Sequence, residues 1–95
     1  MIDLELLDAP SPQKVQRKIA DNIIALRKRR KISQKELAGL SGVSYGSLRR
    51  FEAQGEISLA SLARIAIALD AARELADVFS QAPYNSIEEV INEQK

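Results

Sequence analysis

Arg49 and Arg50, one helical turn beyond Tyr45, are the side chains here whose type and spacing suit a definite chemistry. A guanidinium is a planar fork of donors that can bond guanine O6 and N7 together, a contact worth roughly 1–3 kcal/mol of discrimination between bases. Tyr45, four residues before Arg49, falls on the same helical side. It offers either a ring to a thymine methyl or a hydroxyl to a phosphate. Catalytic chemistry, by contrast, has few means. The chain contains no His and no Cys, which removes the usual triads, thiolate nucleophiles and zinc sites. No pair of carboxylates stands apart from the helix-surface pattern. The four Gly are accounted for by turns and by the segment bearing Tyr45, so there is no glycine-rich phosphate loop. These residues predict no enzyme, no metal site and no cofactor. Two Tyr and two Phe, with Phe51 and Phe79 read as core, are too few for the stacking platforms of single-strand RNA readers.

Charge points the same way. Residues 13–64 hold twelve Lys/Arg against four Asp/Glu, whereas residues 1–12 hold three acids and no base. Residues 65–95 hold six acids and two bases, so the net charge of +1 conceals a basic middle between acidic ends. That distribution is expected where one face meets phosphates and the rest does not. Ninety-five residues suggest a single domain, and 45% hydrophobic content is ordinary for a folded chain. Asp3, Glu5 and Asp8 stand where a leader would need a basic and then apolar run, and no segment approaches membrane-spanning length. The absence of Cys is compatible with a cytoplasmic location, which is the one expected.

The elements that must position these side chains are legible from caps and periodicity. Ile2, Leu4 and Leu6 alternate with acids, the pattern of a short strand needing an edge to pair with, or of a frayed terminus. Ser11-Pro12 is a helix start, and Val15, Ile19, Ile23 and Leu26 predict its buried stripe. Five cations, Arg27 to Lys31, close it, suiting the negative end of the helix dipole. Ser33 and Glu36 form a capping box, with Ile32 and Leu37 as hydrophobic staple. Gly42 suits a left-handed helix end. Ser44 then caps a third helix, over 44–54, whose Leu48 and Phe51 face inward and whose Ser44, Tyr45, Gly46, Arg49 and Arg50 face outward. Gly55 ends it. Ser58 opens a fourth helix, with Ile57 and Leu62 as staple and Leu59, Leu62, Ile65, Ala66 and Leu69 as buried face. Asp70 is expected to cap a fifth, bearing Leu75, Val78 and Phe79. Pro83 breaks the pattern, and Ser86 with Glu89 opens a short segment containing Ile87, Val90 and Ile91. The expected fold is all-α: a five-helix bundle over 12–82, an arm at 1–11, and an acidic tail or short helix at 83–95. Two short helices joined at a glycine, the second bearing exposed Ser, Tyr and Arg, have the layout of a DNA-reading helix-turn-helix.

The stretch from Ile24 to Leu69 resembles the Cro/C1-type helix-turn-helix family of bacterial and phage regulators. The shared pattern is Leu26-Arg27, then Ser33, Gln34, Glu36, Leu37 and Ala38, then Gly42-Val43-Ser44, then Leu48 and Glu52. It covers roughly half the chain. The resemblance implies that Gln34 bonds a phosphate and helps seat the third helix, and that Arg27 and Glu52 form a salt bridge orienting it. A plain phosphate contact is the competing role for Arg27. Base contacts are expected from Tyr45, Gly46, Arg49 and Arg50, with Arg50 foremost and Arg49 either sharing that role or holding a phosphate. Gly46 departs from the polar residue usual in the family, which permits close approach but removes one reader. Backbone contacts are expected from Ser33, Gln34, Lys35, Ser44 and Ser47.

The implied function is sequence-specific binding of double-stranded DNA by a transcriptional regulator, a repressor above all, acting as a homodimer on a near-palindromic operator. Leu75, Val78, Phe79, Ile87, Val90 and Ile91 are the expected dimer surface. Two alternatives remain open at this point. One is the antitoxin of a toxin–antitoxin operon, binding its operator and a toxin protein. The other is a protein-interaction adaptor, against which the concentration of like charge on the third helix argues.

Overall fold

The computed structural model describes residues 9–80. Among these the chain forms five helices and no strand: α1 (Pro12–Arg29), α2 (Gln34–Ser41), α3 (Tyr45–Gln54), α4 (Leu59–Ala68) and α5 (Ala72–Ala76). The alternating segment at Ile2–Leu6, the Ser86/Glu89 capping box, and Ile87, Val90 and Ile91 lie outside the described residues.

Each start of the first four helices is closed by a serine. The hydroxyls of Ser11, Ser33, Ser44 and Ser58 accept from the backbone N–H three residues on. Each thereby satisfies one donor that a helix terminus otherwise leaves free. At α2 the box is complete, because the Glu36 carboxylate accepts from the Ser33 N–H at 3.0 Å. The ends are closed by two different devices. Gly42 and Gly55 leave α2 and α3 at φ 75° and 77°, where glycine has no side chain to clash. At α1 and α4 the left-handed residues are Lys31 and Asp70, at φ 59° and 58°. Their neighbours close the paired 5→2 and 6→1 bonds of a Schellman motif: Lys31 N–H to the Lys28 carbonyl and Ile32 to Arg27, Asp70 to Ile67 and Ala71 to Ala66. Asp70 therefore terminates α4 instead of capping α5. The residue before α5 is Ala71, with no side-chain cap.

The core is built from Ala20 and Ile23 of α1, Leu37 and Ala38 of α2, Val43 of the turn, Leu48 and Phe51 of α3, and Ile65 and Leu69 at α4. Ile32, Ile57 and Leu62 pack onto it, so both predicted staple pairs meet the same core. Phe51, Leu37, Leu48, Ile65 and Leu69 are the largest fully enclosed side chains. Burying each stabilises the fold by about 1.5–3 kcal/mol. Three expectations need correction. Val15 and Ile19 stay exposed, whereas Ile23 and Leu26 meet the core as expected; the rest of the inward seam of α1 is Ala20 and Arg27, with Gln16 at its exposed edge. Fully buried Ala20 marks the line along which α1 packs against α3. Leu59 is 72% exposed on the outer side of α4. Helix α5 spans only five residues, leaving Val78 and Phe79 beyond its end, and Phe79, read as core, is 92% exposed.

Candidate nucleic-acid interface

Helices α2 and α3, joined through Gly42-Val43-Ser44, are fixed to the bundle from within. Val43 is buried, and its N–H donates to the Ser41 hydroxyl at 3.2 Å. Leu48 and Phe51 take the inner side of α3, and Tyr45, Gly46, Ser47, Arg49 and Arg50 are all exposed on the outer side. Gly46 sits in open space, with nothing near the position of a Cβ.

Four side chains from other elements hold the far end of α3. The Arg27 guanidinium meets the Glu52 carboxylate twice, Nε to Oε2 at 2.8 Å and Nη2 to Oε1 at 2.9 Å, and Nη1 donates to the Ile32 carbonyl at 2.9 Å. Side-chain exposure is 11% for Arg27 and 5% for Glu52. Arg27 is thus engaged by protein acceptors on all three nitrogens, which leaves little of it to face a phosphate. The Gln34 amide Nε2 donates to Glu52 Oε1 at 2.9 Å, so Glu52 ties α1, α2 and α3 together. A buried pair of this kind is costly to desolvate, and its remaining lone pairs must be satisfied. Among the described residues no buried side-chain nitrogen or oxygen lacks a partner.

Arg17 was missed from the sequence. Its Nη2 donates to the Glu52 carbonyl at 2.6 Å and Nη1 to the Ala53 carbonyl at 3.0 Å, capping the carboxyl end of α3. Only its exposed i,i+4 pair with Asp21 (3.0 Å) is a pattern local enough to read. Gln16 adds a bond from Nε2 to the Gly55 carbonyl at 3.3 Å.

On the outer side, the cations are held by two different partners. The Tyr45 ring has the Lys35 ammonium 5.6 Å and the Arg49 guanidinium 5.5 Å from its centroid, both within cation–π range. Arg50 points the other way and pairs with Glu56, Nη2 to Oε2 at 3.0 Å. Glu56 is a second residue the sequence reading missed. Its only signal was a carboxylate just after the glycine that ends α3. Around that pair lies an open groove of about 540 Å³, bordered by Gln16, Ser47, Ser58 and Ser61. Of the expected backbone contacts, Ser33 and Ser44 are occupied as caps. Ser47 Oγ accepts from the Ser44 hydroxyl at 2.8 Å and keeps its own proton to donate.

Glu36 of the capping box has a displaced pKa. The backbone N–H of Ser33, and then its hydroxyl, hold the Glu36 carboxyl below its ordinary value. Its role is to cap α2.

Elsewhere on the surface, Leu59, Ala63 and Ile67 of α4 and Leu75, Val78 and Phe79 around α5 border an apolar groove of about 520 Å³. Leu75, Val78 and Phe79 are the described part of the expected dimer surface, and the sequence reading did not place Leu59 or Ile67 there.

A two-helix unit with a left-handed glycine turn, a buried inner side and a cationic outer side defines a helix-turn-helix of the DNA-reading kind. Residues 23–76 match the family described as Helix-turn-helix. The chain belongs to the Cro/C1-type helix-turn-helix family of DNA-binding transcriptional regulators, a regulatory family and not typically an enzymatic one. No curated protein and no solved structure matches it. No helix among the described residues is long and apolar enough to cross a membrane.

Proposed function

We propose that the chain is a sequence-specific repressor that reads a near-palindromic operator as a homodimer, with the exposed side of α3 in the major groove. The observation that carries this reading is the outer surface of α3: Tyr45, Arg49 and Arg50 stand exposed together on a helix whose inner side and carboxyl end are pinned. Arg50 reads a guanine, Arg49 and Tyr45 flank it, and Gly46 lets the helix approach closely. Lys35 and Ser47 meet phosphates. The Gln34 amide has two hydrogens. One is held by Glu52, and the other is left for a phosphate beside the positive end of α2. Arg27 and Glu52 act on DNA only through the posture of α3.

A single recognition helix contacts few base pairs, so useful specificity requires two. Two-fold related subunits would place half-site centres about 34–36 Å apart. The apolar groove of α4 and α5 supports pairing through that side, since Leu59, Ile67, Val78 and Phe79 are all exposed there. A pair of bodies seated on a promoter represses by volume alone.

Selection of duplexes from a random library, followed by affinity measurement against salt, tests the reading. The expected result is a two-fold symmetric motif bound with a steep salt dependence. Arg50→Ala should keep the fold and lose discrimination at one base pair of each half-site, by a factor of about 5 to 150. Unchanged preference in that variant would move the role to Arg49 or Tyr45. Sequence-blind binding by the parent protein would overturn the regulator reading in favour of an adaptor.

A further inference from the structure

We propose that Glu56 is a specificity-determining positioning residue: it holds the Arg50 guanidinium in the attitude that meets a base and lowers the affinity for DNA of any sequence. The inference rests on the base-reading role of Arg50 proposed above.

The first ground is how Glu56 is mounted. It follows Gly55, whose left-handed backbone turns the chain at φ 77° and whose N–H returns to the Phe51 carbonyl at 2.7 Å. The Gly55 carbonyl accepts from Gln16, and a Cβ at position 55 would lie 3.2 Å from the Gln16 Cβ, so this turn lies directly against α1. On the other side, Ile57 packs on the core and Ser58 caps α4. Glu56 therefore stands between anchored residues, at a fixed place beside α3.

The second ground is the geometry of the pair. One nitrogen of Arg50 donates to one carboxylate oxygen, at 3.0 Å. Nε, Nη1 and the second hydrogen of Nη2 remain for a base, so the carboxylate and a guanine can share the guanidinium. The third ground is energetic. Arg50 is 63% and Glu56 53% exposed, and surface pairs of this kind contribute little to stability. The posture of α3 is set elsewhere, by Arg17 and Arg27. What the pair does supply is orientation, since a free arginine loses much rotamer freedom when it docks. A carboxylate beside a phosphate-facing surface also repels every duplex alike, which lowers overall affinity and leaves the choice among sites to the base contact.

Glu56→Gln removes the charge and keeps the size. The test measures affinity of the parent, Glu56→Gln, Arg50→Ala and the double variant for three duplexes: the selected site, the same site altered at the base pair that Arg50 specifies, and a random sequence. Glu56→Gln should bind the random duplex about two- to fivefold more tightly, as loss of one like charge near phosphate implies. It should lose discrimination at the Arg50 base pair by about threefold or more, part of what a bidentate contact supplies. In the Arg50→Ala background the charge effect should persist and the effect on discrimination should vanish. A merely structural role would weaken binding to all three duplexes together. If Arg50→Ala abolishes discrimination while Glu56→Gln preserves it, positioning by Glu56 is overturned and base reading by Arg50 stands. If discrimination depends on neither residue, the role of Arg50 falls and this inference with it.

Discussion

The two sides of this small bundle are finished to different degrees. On the α2–α3 side, local devices close every terminus: serine caps at both starts, glycines in the left-handed region at both ends, and Arg17 on the last carbonyls. Even the outward cations there have partners, Tyr45 for Lys35 and Arg49 and Glu56 for Arg50. On the α4–α5 side, α5 is five residues long and has no side-chain cap. Non-glycine residues stand in the left-handed region on either side of it, at Asp70 and at Phe79 (φ 66°). Large apolar side chains face outward. The contrast teaches that the α2–α3 surface is held in place by bonds within the chain itself, whereas the α4–α5 side leaves its large apolar side chains uncovered, as the proposed pairing would require.

Breaking Glu52 should expose this contrast most strongly. Glu52→Ala leaves the Arg27 guanidinium buried without its carboxylate and releases Gln34, which should cost about 3–5 kcal/mol in a denaturation measurement. Replacing the pair together, Arg27→Met with Glu52→Leu, should recover most of that loss. A loss under about 1 kcal/mol in the single variant would mean the reading side is less pinned than its bonds suggest. On the other side, Ile67→Asp with Phe79→Asp should leave the stability of the single subunit within about 0.5 kcal/mol per site, as exposed positions do. The same variant should sediment as a monomer and bind half-sites without cooperation. A variant that still forms dimers would assign the self-association surface elsewhere.

The smallest expected effect is a titration. Because its folded pKa is lowered, Glu36 contributes stability that is fully present above its unfolded value of about 4.3 and is lost as pH falls through the lowered folded value. Ser33→Ala removes the hydroxyl and should move the Glu36 carboxyl resonance back toward the ordinary titration, with the α2 amides fraying first. An unchanged Glu36 titration in that variant would leave the backbone N–H of Ser33 as the whole cause.

How much of this was legible follows from the range of each signal. The Ser33, Ser44 and Ser58 caps, the Ser33/Glu36 box and the left-handed glycines are statements about three or four neighbouring residues, and all are found. So is the inward turn of Leu48 and Phe51, fixed by period alone. Half of the expected stripe of α1 holds: Ile23 and Leu26 meet the core, but Val15 and Ile19 do not, because the size of an apolar residue does not by itself mark the seam. The fully buried position between them is taken by a small side chain, Ala20. Asp70 was misassigned because an acidic residue at a helix junction suits either a start or a left-handed stop, and only the bonds from Asp70 and Ala71 to the preceding turn decide it. Arg17 on the end of α3 and Glu56 beside Arg50 depend on how elements meet in space. No spacing rule along the chain encodes either.

The attachment of Arg17 has a consequence for how such a protein changes over time. It grips main-chain carbonyls, those of Glu52 and Ala53, which are the same whatever side chains α3 carries. The other clamp, Arg27 on Glu52, also avoids the four outward positions 45, 46, 49 and 50. Those positions can be rewritten without loosening the seat of the helix, so if they read the operator as proposed, a handful of exchanged letters would redirect the protein to another one.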